Sequence, residues 1–311
     1  MTFIFMSKAR HLRELLAGGK PIVIAGAHNG LSGRLVEEAG FDGIWGSSFE
    51  ISGAHAIPDA NILTMAENLT LTKNINDSTS IPVVADCDNG YGNAINVMRM
   101  VEEYEKAGIA GVCIEDNVFP KRCSFYSGVK RGLESVDEFV GKIRAAKHAR
   151  HDKDFVIIAR TEALNAGWGM DEALRRGRAY AKAGADLILI HSKQSSPQEV
   201  LMFAERWESR TPLVCVPTTY NTASVEELAA AGFKMIIFAN HGLRAAIKNV
   251  QETLAELRRA GRASAIDGRI APLTEVYRLM GVDNLQANEA EYLPTGARAV
   301  TAVVVAAGKG V

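Results

Sequence analysis

Apolar residues along the chain fall into short unbroken runs, most of them entered from a helical pattern. "EEAGFDGIWGSS", "EKAGIAGVCIED", "AKAGADLILIHS" and "AAAGFKMIIFAN" repeat one phrase: an amphipathic helix, an Ala-Gly stop, then a strand. Gly suits a left-handed helix end, and a β-rich run begins at once. Further runs, "PIVIAGAH", "IPVVADCD", "DFVIIART" and "PLVCVPTT", fill the gaps between the repeats. The runs do not alternate with polar residues, the pattern of strands covered on both faces. Helical patterns such as "NAINVMRMVEEYEKAG" and "DEALRRGRAYAKAG" lie between them. Eight such units in about 245 residues predict an α/β protein built as a (β/α)8 barrel. A doubly wound sheet is the alternative at fold level, and the even spacing favours the barrel. After the eighth strand, "HGLRAAIKNVQETLAELRRAG" and "PLTEVYRLMGVDNLQANEAEYL" predict two amphipathic helices, more than one closing helix requires. Surplus apolar faces pack on another subunit or cap the barrel, so an oligomer is expected.

A barrel gathers its chemistry at the C-terminal ends of its strands. Those ends carry His28 and Asn29, then Trp45, Ser47 and Ser48, then Asp86 and Asp88, then Glu115 and Asp116. They continue with Arg160 and Glu162, His191 and Ser192, Thr218 and Thr219, and Asn240 and His241. Any one of these could be a helix N-cap, but polar groups at every strand end point to a site. Asp86 and Asp88 are two apart and share a face; Glu115 ends the adjacent strand, and Asp59 follows the second. Carboxylates without matching His or Cys suit a hard cation held partly through water. That cation is Mg²⁺, with Mn²⁺ as a substitute; the competing reading pairs each carboxylate with a Lys or Arg. Arg160 is a natural fork for a carboxylate or phosphorus oxyanion. Metal and Arg together imply a small dianionic or trianionic substrate whose keto or enol oxygen sits on the metal. His191 either orients that substrate and shuttles a proton, or makes a structural hydrogen bond across the mouth.

Composition narrows the classes. The chain has 311 residues, 47% hydrophobic and 23% charged, with a net charge of -1. That supports a large core and gives no electrostatic footprint for nucleic acid or an anionic membrane. The opening "MTFIFM" is too short for a secretory or membrane-spanning segment, Met6 is an alternative start, and a cytoplasmic location is expected. Cys87, Cys113 and Cys215 sit in apolar runs as buried thiols, whereas Cys123 stands in a polar loop.

The stretches "GFDGIWGSSFEIS", "ADCDNGYGN", "EDNVFPK", "DFVIIARTEALNAGWGMDEAL" and "ADLILIHSK" resemble the phosphoenolpyruvate mutase / isocitrate lyase superfamily. Within it they are similar to the branch of phosphoenolpyruvate mutases and phosphonopyruvate hydrolases, over residues 8 to 294. The resemblance implies a (β/α)8 barrel over 1–294 whose eighth helix is exchanged between subunits, in a homodimer or homotetramer. It assigns Asp59, Asp86, Asp88 and Glu115 to the Mg²⁺ shell, and Trp45, Ser47 and Ser48 to the pyruvyl group. Arg160 and His191 then contact the phosphorus group, with Glu162 and Asn240 also binding substrate. A gating loop at 117–130, carrying Lys121, Cys123 and Ser124, closes over phosphonopyruvate or phosphoenolpyruvate, and Asp59 joins these residues in catalysis.

"EDNVFPKRCS" departs from that pattern. Mutases carry Glu-Asp-Lys, five further residues, then Asn-Ser; here Asn117 replaces the Lys and Cys123 the Asn. Hydrolases tend to have Thr at the second position. C–C lyases of the isocitrate lyase type have Lys-Arg-Cys-Gly-His, and this chain has Lys-Arg-Cys followed by Ser-Phe. A mutase reaction moves no proton, whereas a lyase uses a thiol at carbon that Lys121 and Arg122 would activate. The tail "RAVTAVVVAAGKGV" resembles the first strand and glycine-rich loop of a nucleotidyltransferase, so 295–311 reads as a linker and the start of such a domain. A fused nucleotidyltransferase suits phosphonate biosynthesis, which favours the mutase. Phosphonopyruvate hydrolysis, C–C cleavage through Cys123 and an inactive oligomeric scaffold are the alternatives.

Overall fold

The computed structural model describes residues 6–124 and 132–294. Residues 125–130 of the gating loop and the nucleotidyltransferase-like tail 295–311 lie outside the described residues.

Eight parallel strands close into a barrel in chain order. They are β1 (Ile22–Ala27), β2 (Gly43–Gly46), β3 (Val83–Asp86) and β4 (Gly111–Glu115). The second half comprises β5 (Val156–Thr161), β6 (Leu187–Ile190), β7 (Leu213–Cys215) and β8 (Phe233–Phe238), which pairs with β1. Each Ala-Gly stop behaves as its chemistry requires: Gly40, Gly108, Gly184 and Gly232 have φ of 82°, 78°, 106° and 101°. Only glycine adopts that conformation without steric cost, so the helix ends there and the next strand enters the barrel.

Two apolar layers hold the barrel. One lies between the strands and the helices and includes Ile44, Val112, Ile114, Ile157, Phe139 and Tyr180. The other fills the interior with Ile24, Trp45, Val84, Cys113, Ile158, Leu189, Val214 and Ile237. Residues of both parities are buried, which is why the strands read as unbroken apolar runs. Each such side chain contributes roughly 1.5–3 kcal/mol.

By its internal contacts the chain divides into two compact units, Met1–Ile247 and Lys248–Val311. The helix His241–Ala260 crosses the division. The second of the two predicted C-terminal helices is in fact two, Leu273–Met280 and Val282–Tyr292, because Gly281 at φ 75° caps the first in a left-handed turn. Within the second unit Leu254, Leu273, Met280 and Tyr292 are 58% to 72% exposed. No helix among the described residues is long and apolar enough to cross a membrane.

Candidate active site

Alternation along the strands decides which side chains reach the mouth. Two residues beyond the interior Trp45, Val84, Cys113, Ile158 and Leu189 stand Ser47, Asp86, Glu115, Arg160 and His191 on the same face. All of these line one cavity of about 50 Å³, joined by Thr218 and Asn240 after β7 and β8. The opposite parity faces the helices instead, so Asp116 bonds Arg176 and Tyr180 of the helix Met170–Ala183.

The segment after β4 reaches the same cavity. Asn117 and Leu133 pair in an antiparallel bridge, and Lys121, Cys123 and Ser124 help line the cavity. Cys123 was expected in a polar loop, but it is only 6% exposed. Lys121, Cys123 and Ser124 all turn inward to the cavity while Arg122 stays exposed.

On the acidic side, Lys121 Nζ lies 2.9 and 3.1 Å from the two Asp59 carboxylate oxygens and donates to Ser48 Oγ at 3.2 Å. It also contacts Asp88 Oδ1 at 2.5 Å, without hydrogen-bond geometry. Ser48 donates to Asp86 Oδ2 at 2.9 Å, and Asn117 Nδ2 to Glu115 Oε1 at 2.8 Å. Burial raises the Asp88 carboxyl to about 7; Lys121 opposes this, and Asp59, Asp86 and Glu115 add to it. Burial also works against the Lys121 charge, but Asp59 and Asp88 hold its ammonium well above the ordinary lysine value. Pairing of the carboxylates with basic side chains is thus realised in part.

Across the cavity, Arg160 Nε donates to Glu162 Oε1 at 2.6 Å and lies 3.2 Å from Glu115 Oε2. Its Nη2 donates to Ser124 Oγ at 3.0 Å and to His191 Nδ1 at 2.8 Å. A guanidinium only donates, and Asn165 Nδ2 approaches the same ring nitrogen at 2.9 Å. Glu162 Oε1, which only accepts, lies 3.0 Å from that nitrogen as well, so whether Nδ1 donates or accepts depends on the tautomer of the ring. Burial first and Arg160 second push the His191 pKa down. Burial resists ionisation of Glu162, yet Arg160 and His191 hold it well below the usual carboxylate range.

Not every candidate residue faces the cavity. Trp45, Ser47, Asp59, Asp86, Glu115, Lys121, Cys123, Ser124, Arg160, His191 and Asn240 do. Glu162, fully buried, lies behind Arg160 as its counterion, while Ser48 and Asp88 stand behind Lys121. Sequence reasoning missed Asn61, whose Oδ1 accepts from Lys121 N at 2.6 Å and whose Nδ2 donates to Asp88 Oδ2 at 2.9 Å. It also passed over Asn165 and the site role of Thr218, whose Oγ1, like Asn240 Oδ1, is buried without a hydrogen-bond partner. Nothing in the local pattern marks Asn61, because its φ of 55° and both contacts are tertiary facts.

Among the described residues, no three His, Cys, Asp or Glu side chains converge as a direct metal cage. The hard carboxylate oxygens that Asp59, Asp86 and Glu115 bring to the cavity instead fit a hydrated cation of the Mg²⁺ or Mn²⁺ kind.

Comparison with known proteins agrees with this architecture. A family model described as phosphoenolpyruvate phosphomutase matches residues 12–258. The crystal structure of phosphoenolpyruvate phosphomutase from Streptomyces platensis subsp. rosaceus superposes with a TM-score of 0.91 at 55% identity, covering 92% of this chain and 99% of that one. Phosphonopyruvate hydrolase of Variovorax sp. (strain Pal2) is 45% identical over 93% of this chain and 100% of its own length. A structure of phosphonopyruvate hydrolase in complex with oxalate and Mg²⁺ has a TM-score of 0.88 at 45% identity, covering 93% of this chain and 100% of that one. The relatives are enzymes, and the chain belongs to the phosphoenolpyruvate phosphomutase family of the phosphoenolpyruvate mutase/isocitrate lyase superfamily.

Proposed function

We propose that the chain interconverts phosphoenolpyruvate and phosphonopyruvate, as a mutase of phosphonate biosynthesis. The observation that carries the reading is a small cavity with two unlike walls. Ser47 and the carboxylates form one; Arg160, Ser124 and His191 form the other. Trp45, Ser47 and Ser48 are assigned to the pyruvyl end, and Arg160, Ser124 and His191 to the phosphorus end. Asp59, Asp86, Asp88 and Glu115 would hold Mg²⁺, some through water, and the ion would stabilise charge on the enolate oxygen. In the reaction the C–P bond breaks with its electrons left on the enolate. The transferring group is held in line by the Arg160 guanidinium and the Ser124 hydroxyl until the enolate oxygen takes it. No proton moves, so His191 would orient the phosphorus group rather than act as an acid or base. The segment Lys121–Ser124 forms one side of this cavity, and with substrate bound it would keep water from the reacting centre.

Hydrolysis to pyruvate and phosphate is the second reading, favoured by the full-length match to the Variovorax hydrolase. Phosphorus NMR of the protein with Mg²⁺ and phosphonopyruvate separates them: a phosphate-ester signal is expected, and free phosphate would instead establish the hydrolase. No turnover would sink both. Cys123→Ala in the same assay is expected to retain activity within about tenfold, since neither reaction needs a thiol; a loss of 10²–10⁴-fold, the usual contribution of an acid–base group, would give the thiol a chemical role in that turnover.

A homodimer or homotetramer is proposed with it. Leu31, Leu35, Val36, Phe41 and Phe238 line an apolar groove of about 610 Å³ beside the helix Gly30–Glu38. With Leu31 and Leu35 half exposed in one copy, a helix exchanged from a second copy fits the groove. Sedimentation should give a dimer or larger species; a monomer at micromolar concentration would rule the assembly out.

A further inference from the structure

Asn165 does not line the cavity, yet its amide lies between two groups of the phosphorus wall, the one built on Arg160, Ser124 and His191. It is 2% exposed. The turn after β5 places it: Ala166 N donates to the Glu162 carbonyl at 2.8 Å, and Lys193 Nζ donates to the Asn165 carbonyl at 3.1 Å. Nδ2 lies 3.0 Å from Glu162 Oε2 and 2.9 Å from His191 Nδ1. The carboxylate fixes which way the amide points. Glu162 accepts from Arg160 Nε at Oε1 and from Ser124 Oγ at Oε2. Turning the amide over would set Oδ1 against Oε2, oxygen on oxygen. As it stands, Oδ1 is buried without a hydrogen-bond partner. The side chain thus forgoes one hydrogen bond and keeps its nitrogen on Glu162 and His191.

The balance of donors around His191 Nδ1 decides where the ring proton goes. Arg160 Nη2 has one hydrogen for Ser124 and one for the ring. Asn165 Nδ2 has one for Glu162 and one for the ring. Glu162 Oε1 is the acceptor there, 3.0 Å away, and Arg160 Nε already supplies it at 2.6 Å. A proton on Nδ1 would meet two donor hydrogens and an oxygen already in use, whereas a lone pair there serves both donors. Without the Asn165 nitrogen, one donor faces one acceptor, and the proton can move to Nδ1. We propose that Asn165 is a positioning residue that keeps His191 Nδ1 unprotonated, so that the neutral ring carries its proton on Nε2 and acts as a donor, not a base. The inference rests on the assignment of His191 to the phosphorus end. A donor suits an oxyanion there; a ring with its proton turned to Glu162 would offer that oxyanion a lone pair.

Nitrogen NMR of the full chain with isotope-labelled histidine reads the tautomer directly. Of the seven histidines, His191 is the one whose pair of signals is missing from His191→Gln. At about pH 8, well above the ordinary histidine value, the wild type should show a protonated Nε2 and a bare Nδ1. A protonated Nδ1 in the wild type overturns the proposal, and that arm needs no folded Asn165 variant. Asn165→Leu, of nearly the same shape, should move the proton at least in part to Nδ1; an unchanged pair of signals in the folded variant is equally contrary. Turnover supplies the second readout. In Asn165→Leu, kcat on phosphonopyruvate is expected to fall about 10²-fold, as for loss of one preorganised donor, with KM changed by less than about threefold. A shifted tautomer with kcat still within about threefold of wild type denies Asn165 the positioning role. Should the wild type leave phosphonopyruvate unchanged, the proposed reaction fails, and the tautomer signals still decide what Asn165 does.

Discussion

Replacing Arg160 with methionine is expected to lower turnover of phosphonopyruvate by about 10³-fold and to destabilise the fold at the same time. The rate effect follows from position. Arg160 lies on the cavity between Ser124 and His191, where it is the cation that charge on the migrating group would meet; losing one preorganised donor alone costs roughly 10²–10³-fold. The stability effect has a different origin. Glu115 and Glu162 are 3% and 0% exposed, and without Arg160 their charges lose the partner that made burial tolerable. Removing one side of a buried pair costs about 3–5 kcal/mol. The sign of the pH dependence is fixed by Glu162, whose folded pKa lies below its unfolded value. Its contribution is fully present above the usual carboxylate range and is lost as pH falls through the folded pKa. The gap in thermal midpoint between wild type and variant should therefore be widest near neutrality and close under acid conditions. Arg160→Lys should regain part of the stability but little of the rate, because an ammonium cannot span Glu162, Ser124 and His191 as the fork does. Turnover within tenfold of wild type in the methionine variant would remove Arg160 from the phosphorus wall.

Much of this site was readable because one rule, alternation along a strand, governs both the barrel interior and its mouth. Ser47, Asp86, Glu115, Arg160 and His191 each follow an interior apolar residue by two positions, so strand placement alone orients them. The limits appear where a residue's role comes from another part of the chain. Glu162 has the correct parity, but Arg160 and Ser124 cover it, and it acts through them rather than on the cavity. Lys121 was legible as a residue of the gating loop beside Cys123, yet its contacts to four oxygens from three other segments were not. Asn61 and Asn165 are ordinary loop asparagines in the local pattern; only the fold brings their amides to Asp88 and His191. The break at Gly281 had a local signal, a glycine inside a helical pattern, which the strong apolar periodicity around it masked.

Asp116 shows what opposite parity makes of a carboxylate only one residue from Glu115. It is fully buried and accepts from Arg176 Nη1 at 3.0 Å, Tyr180 OH at 2.7 Å, Thr161 Oγ1 at 3.1 Å and the Glu162 backbone N–H at 2.8 Å. Even with these partners, burial pushes its carboxyl above the usual range. Arg176, 2% exposed, also donates to the Glu134 carbonyl at 3.0 Å and to Glu172 at 2.7 Å, with its guanidinium 4.8 Å from the centre of the Trp168 ring. The pair thus joins β4, β5 and the helix Met170–Ala183 to the point where the chain returns at Glu134. Arg176→Leu should cost about 3–5 kcal/mol, because Asp116 is left as a buried charge without its cation. For a domain of this size that is a fall in thermal midpoint on the order of 10 °C. Adding Asp116→Asn to the leucine variant removes the stranded charge and should recover part of the loss, the coupling expected of residues in direct contact. Turnover by the folded leucine variant should stay within about tenfold of wild type, since neither partner lines the cavity. A midpoint unchanged within 2 °C would deny the pair its structural role, and a rate that collapses while the fold survives would mean that the network does more than hold strands and helix in register.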